Sequence, residues 1–206
     1  MLMTAMLILA GVASGSVPMR EGLYTGRTDA VFQYDDGTAN WITWGGLARG
    51  VWFHVDDFEP GATGFLVDTL EFWFYHHSSY PWDVASFYAE LWQGGPGGPE
   101  TILFQESVTA ANGMVLVPVV PPIDPGGDFW VICNTMMSGG GWPAPLGDGT
   151  PQPEYSHSFF SDDGLVWEPW QIQGEHANDY FIRAHGGPVL GLEPATWGSI
   201  KVLFEE

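Results

Sequence analysis

Leu70-Glu71-Phe72-Trp73-Phe74-Tyr75 alternates between two kinds of residue. Successive side chains of an extended strand point to opposite sides, so Leu70, Phe72 and Phe74 share one face and Glu71, Trp73 and Tyr75 the other. A helix would scatter the same residues around its axis; a strand sorts them into an apolar row and a row of rings beside an acid. The pattern recurs. In Arg49–Val55, Val51, Phe53 and Val55 form one row, with Trp52 and His54 opposite. In Val84–Trp92, Phe87, Ala89 and Leu91 face one way, and Ser86, Tyr88, Glu90 and Trp92 the other. In Asp128–Cys133, Phe129, Val131 and Cys133 oppose Trp130 and Ile132.

Short runs of this type are bounded by Gly, Pro, Asp and Asn throughout 16–187, and no helical period competes with them. Strands are predicted at Val31–Tyr34, Arg49–Val55, Phe65–His76, Val84–Gln93, Thr101–Val108, Met114–Val119, Asp128–Asn134, Tyr155–Phe160, Val166–Gln171 and Tyr180–His185. The expected fold is an all-β, antiparallel, jelly-roll-like β-sandwich of about ten short strands. Gly94-Gly95-Pro96-Gly97-Gly98-Pro99 reads as a hairpin loop and Ser138–Pro153 as a long surface loop. Ser161-Asp162-Asp163-Gly164-Leu165-Val166-Trp167 resembles a shortened Asp-box, the S-x-D-x-G-x-x-W turn of sialidase-like repeats. It is one residue short and occurs once, so it is read as a hairpin turn without sialidase chemistry.

The chain has 206 residues, with 25 acidic side chains against five Lys and Arg, a net charge of −20. That charge repels phosphates and anionic lipid, which argues against nucleic acid and membrane surfaces as partners. It suits divalent cations, neutral glycans, or solubility outside the cell. Residues 1–15 carry an apolar stretch followed by small residues and read as a secretory leader, although no Lys or Arg precedes Arg20; a buried N-terminal strand or helix is the alternative. The sandwich is assigned to 16–187 and a separate tail to 188–206. Single Cys133 excludes a disulfide framework and reads as a buried small hydrophobe.

The eleven tryptophans carry the functional question. Trp52, Trp73, Trp92 and Trp130 all fall in second-face rows, twice beside a Glu. If their strands are neighbours, Trp52, Trp73, Tyr75, Tyr88, Glu90, Trp92 and Trp130 form an aromatic platform with carboxylates, a surface on which sugar rings stack. Coverage by the chain itself, or plain cross-strand ring pairing, is the competing reading. Asp35-Asp36-Gly37-Thr38 is a candidate Ca²⁺ loop, with Asp35 and Asp36 as ligands and Asp179 as a partner from the last strand; an Asx-type turn is the alternative. Glu71 and Glu90 are a candidate acid pair for glycoside hydrolysis, a cheap coincidence among 25 acids.

Taken in order, Tyr34-Asp35-Asp36-Gly37-Thr38, Leu70–Tyr75, Gly94–Pro99, Asp128-Phe129-Trp130-Val131 and Asp179-Tyr180-Phe181-Ile182-Arg183-Ala184 resemble a class of poorly characterised secreted β-sandwich domains of environmental bacteria. The resemblance implies a jelly-roll-like sandwich and an extracellular setting, with no assigned catalysis. Thr196-Trp197-Gly198-Ser199-Ile200-Lys201 resembles a T-W-G-x-I-K sorting or anchoring tail; an added edge strand or short amphipathic helix is the alternative. The expected function is a secreted, non-catalytic module for cell-surface or matrix association, with glycan contact through the aromatic face. Self-assembly with copies of itself into an extracellular filament or layer, and a polysaccharide-active enzyme, are the competing expectations.

Overall fold

A computed structural model describes residues 30–43, 46–62, 64–139, 141–149, 157–172, 175–176 and 179–188. The leader at 1–15 and the sorting-like tail lie outside the described residues. The chain is all-β. Its strands are β1 (Ala30–Phe32), β2 (Ala39–Ile42), β3 (Ala48–Phe53), β4 (Phe65–Phe74), β5 (Ser86–Gln93), β6 (Thr101–Thr109), β7 (Gly113–Ile123), β8 (Phe129–Asn134), β9 (Leu146–Asp148), β10 (Ser158–Ser161), β11 (Glu168–Pro169), β12 (Gln171–Ile172), β13 (Glu175–His176) and β14 (Ile182–Pro188).

Two larger sheets carry the architecture. One is four-stranded in the order β1-β14-β4-β7, the other six-stranded in the order β11-β10-β3-β8-β5-β6, and each pairing is antiparallel. Two-stranded pieces β2-β9 and β12-β13 accompany them. The predicted apolar rows meet across the gap: Phe32, Leu70 and Phe72 from the first sheet pack with Val51, Phe53, Phe87, Leu91 and Val131 from the second. Ring contacts cross directly, with Phe72 edge-on to Phe87 at 5.1 Å and Phe32 against Phe129 at 5.9 Å. Burying this apolar surface supplies the main drive for folding. Cys133 belongs to the same core, and burial pushes its thiol up to about 12.

One core position is unexpected. Arg49 shares the inward row of Val51 and Phe53 and is fully buried, with Nη2 3.5 Å from the Gly141 carbonyl. Strand alternation places it inward; only its charge argues otherwise.

The shortened Asp-box reading agrees with the structure. β10 and β11 form a hairpin, the Ser161 hydroxyl accepts the Gly164 N–H at 2.8 Å, and Asp163 Oδ1 accepts those of Leu165 and Val166 at 2.8 and 2.9 Å.

Candidate functional site

The second-face rows of β3, β8 and β5 form the outer surface of the six-stranded sheet. Register aligns Trp52 with Trp130 and Trp130 with Trp92, so three indoles stand in one row across three neighbouring strands. Tyr88 and Glu90 lie further along β5 on the same side.

Glu90 is the polar centre of this surface. Its Oε2 accepts the indole N–H of Trp92 at 2.8 Å, and its Oε1 accepts the amides of Gln105 and Asn134 at 2.8 and 3.0 Å. The carboxylate is buried, yet three donors compensate its lost hydration. Tyr88 and Trp92, both half-buried, stand on either side of it, about 13 Å apart at roughly 3.3 Å per residue.

The row is not bare along its whole length. Trp130 is 0% exposed. Phe159 and Trp167, from the β10–β11 hairpin, lie over it with ring centroids 4.9 and 5.3 Å away, and its N–H donates to the Gly95 carbonyl at 3.0 Å. Gly50 makes room for this cover: a Cβ there would sit 3.1 Å from Trp167 and Ile132 and 3.2 Å from Trp130. Trp130, Ile132 and Ala48 thus form a second small core, with Trp52 and Trp92 half-buried at its margins.

Trp73, Tyr75 and Glu71 do not join this platform. Glu71 and Trp73 lie on β4, which belongs to the four-stranded sheet, so they occupy the opposite outer face, and Tyr75 follows just past the end of that strand. Alternation says which side of a strand is polar but not which sheet the strand enters. On that face Arg183, directly across from Glu71, donates to Glu71 Oε1 at 3.0 Å and grips both oxygens of Asp35 at 2.7 and 2.8 Å. Glu71 also takes the Trp73 indole N–H at 2.5 Å and His185 Nε2 at 2.6 Å. Burial opposes ionisation of Glu71, but the bonds from His185 and Trp73 and the charge of Arg183 outweigh it and hold the carboxyl below its ordinary range. The candidate acid pair Glu71 and Glu90 is therefore split between two faces.

The candidate Ca²⁺ residues come partly together. Asp35 is occupied by Arg183 and also accepts the Gly37 N–H at 3.1 Å, while Asp36 Oδ1 accepts the Thr38 N–H at 2.7 Å, the expected Asx turn. Asp179 lies beside Asp148, whose two oxygens take the N–H groups of Asp179 and Asp36 at 2.9 and 3.1 Å. Asp148 sits inside the stretch read as a surface loop, so alternation gives no sign that it stands beside Asp179. Among the described residues no three His, Cys, Asp or Glu side chains converge as a metal-binding group.

At one end of the sheet His54 Nδ1 meets both Asp128 oxygens at 2.9 and 3.0 Å, and that bond raises its pKa above the usual imidazole value. A cavity of about 160 Å³ opens there, lined in part by Val55, Asp56, Phe65 and Asp128. Comparison with protein-family models, curated proteins and solved structures finds no match for the chain.

Proposed function

We propose that this chain is a non-catalytic, extracellular β-sandwich module that binds glycan on the outer face of the six-stranded sheet, along Tyr88, Glu90 and Trp92. The observation that carries this reading is the clamp on Glu90. Three donors fix the carboxylate and orient the Trp92 ring, and they bring the amides of Gln105 and Asn134 to a surface that also carries the half-buried rings of Tyr88 and Trp92. Rings offer a stacking surface to sugar C–H faces, and the amides offer donors and acceptors to hydroxyls. A net charge of −20 favours a neutral polymer over an acidic one. Affinity electrophoresis through gels containing soluble neutral polysaccharides tests this. Retention should be lost in Trp92→Ala and Tyr88→Ala while thermal unfolding stays cooperative; unchanged retention in both variants would rule the strip out.

Self-association is the second reading, and it draws on the other face. Tyr75, Met114 and Leu116 are 43%, 49% and 50% exposed and flank Trp73 on the outer side of β4 and β7. Such a strip suits a protein surface. The strand edges suit one less: β1 has three residues, β11 contains Pro169, β7 contains Pro118, Pro121 and Pro122, and the β5–β6 pairing is interrupted by a bulge. Copies of this chain would associate face to face. Sedimentation at rising concentration, with Leu116→Glu as the disrupting variant, separates this reading from a monomeric binder.

A further inference from the structure

Among the described residues, two buried carboxylates lie side by side with no cation bonded to either. Asp148 and Asp179 are both 0% exposed. The groups that bond them are neutral: the N–H groups of Asp36 and Asp179 to Asp148, and the Ser158 hydroxyl (2.9 Å to Oδ1) and the His157 peptide N–H to Asp179. Nearby Asp35 is different, since Arg183 cancels its charge. Asp179 Oδ2 goes further: it is buried and no hydrogen bond reaches it. The peptide N–H of Asp179 rests on Asp148 Oδ1, so the two residues are held adjacent and cannot separate without breaking β9 from the segment Asp179–Phe181 that leads into β14. Two neighbouring buried anions and an unbonded carboxylate oxygen are unfavourable unless something positive stands between them.

We propose that Asp179 and Asp148 form the anionic half of a site for a hard divalent cation, Ca²⁺ by its oxygen-only donor chemistry. Asp179 Oδ2 is the open ligand. The Asp148 oxygens each keep a lone pair beyond the one given to an N–H. Backbone oxygens and water complete the shell, as is usual for this ion. The site differs from the loop that Asp35-Asp36-Gly37-Thr38 suggests by itself: Asp35 neutralises Arg183 and Asp36 closes its own turn, so the cation falls to the pair behind them. It is independent of the glycan-binding strip, which lies on the outer face of the six-stranded sheet.

Trp170 stacks on Tyr180 at 4.5 Å, next in sequence to Asp179, and supplies an optical antenna. Tb³⁺ luminescence excited through tryptophan, followed on the full chain, should saturate and be displaced by Ca²⁺. Ca²⁺ should raise Tm and a chelator reverse the shift. Asp179→Asn keeps the acceptor for Ser158 and should abolish both effects. The control Asp162→Asn, at an exposed turn, should preserve both, which separates this site from loose ion binding to an acidic surface. Absence of Tb³⁺ luminescence and of a Ca²⁺-dependent Tm shift in the unmodified chain would overturn the proposal and leave the pair to share a proton. Equal responses in Asp179→Asn would also overturn it.

Discussion

Trp92 donates its indole N–H to Glu90, two residues back on the same strand face, and Trp73 does the same to Glu71 in the other sheet. Each sheet therefore carries one Glu-x-Trp unit on its outer surface. The period of two brings carboxylate and ring to one side, and the indole N–H neutralises part of the cost of burying the acid. The units differ in what else they hold. Glu90 recruits two neutral amides; Glu71 recruits Arg183 and His185.

The Glu90 clamp predicts a graded loss of stability. Glu90→Gln exchanges a charged acceptor for a neutral one that can satisfy only some of Trp92, Gln105 and Asn134. Unfolding by denaturant should show a loss of about 1–3 kcal/mol with unchanged m value. A variant as stable as the parent would mean the three donors find other acceptors at no cost.

Arg183 predicts a larger effect. Replacing it with Met leaves Asp35 and Glu71 buried without their shared cation, and removal of one partner from a buried ion pair costs roughly 3–5 kcal/mol. Asp35→Asn in the Arg183→Met background should recover part of that loss. The double-mutant cycle measures the coupling, and strict additivity would contradict the arrangement.

Titration of Asp179 gives a pH dependence with a definite sign. Burial raises its pKa to about 7, opposed by the Ser158 bond and helped by the charges of Asp148 and Asp35. The folded chain thus binds the proton more tightly than the unfolded chain, so stability falls as pH rises from about 4 toward 7 and then levels. The groups around it are Asp148 on β9, Asp35 and Asp36 after β1, and His157 and Ser158 at β10; burial lowers the His157 pKa, so that ring adds little positive charge near neutrality. Chelator-treated protein should show the fall in Tm, and Asp179→Asn should flatten it.

The hairpin cover over Trp130 is open to a spectroscopic test. Trp167→Ala removes the ring that lies on Gly50 and Trp130, so tryptophan emission should shift to the red and iodide should quench more of it. Unshifted emission would show that Phe159 alone shields the row.

Much of this was readable from alternation. The rows of β3, β4, β5 and β8 were correctly split into core and outer faces, because a one-residue slip would have put Phe72 or Phe87 in water. What alternation lacks is any term for sheet membership, which is how Trp73 and Tyr75 came to be grouped with Trp92. The placement of Asp148 beside Asp179 is not legible, because a three-residue strand inside a Gly- and Pro-rich stretch leaves almost no periodic signal. The covering of Trp130 depends on the β10–β11 hairpin folding back, a long-range contact that no local pattern encodes.

Gly50 lies in mid-strand, where glycine is ordinarily a weak choice. Its missing side chain is the socket for Trp167, an indole delivered by a hairpin from the far part of the chain. A Cβ at 50 would meet Trp167 and Trp130 at 3.1 and 3.2 Å, so those rings would have to give by a few tenths of an ångström, and a bulky side chain would lift the Trp167 ring and bare the middle of the outer face. Positions 50 and 167 are therefore expected to vary together or not at all, and a natural variant with both altered would carry a wider, wetter aromatic surface than this one.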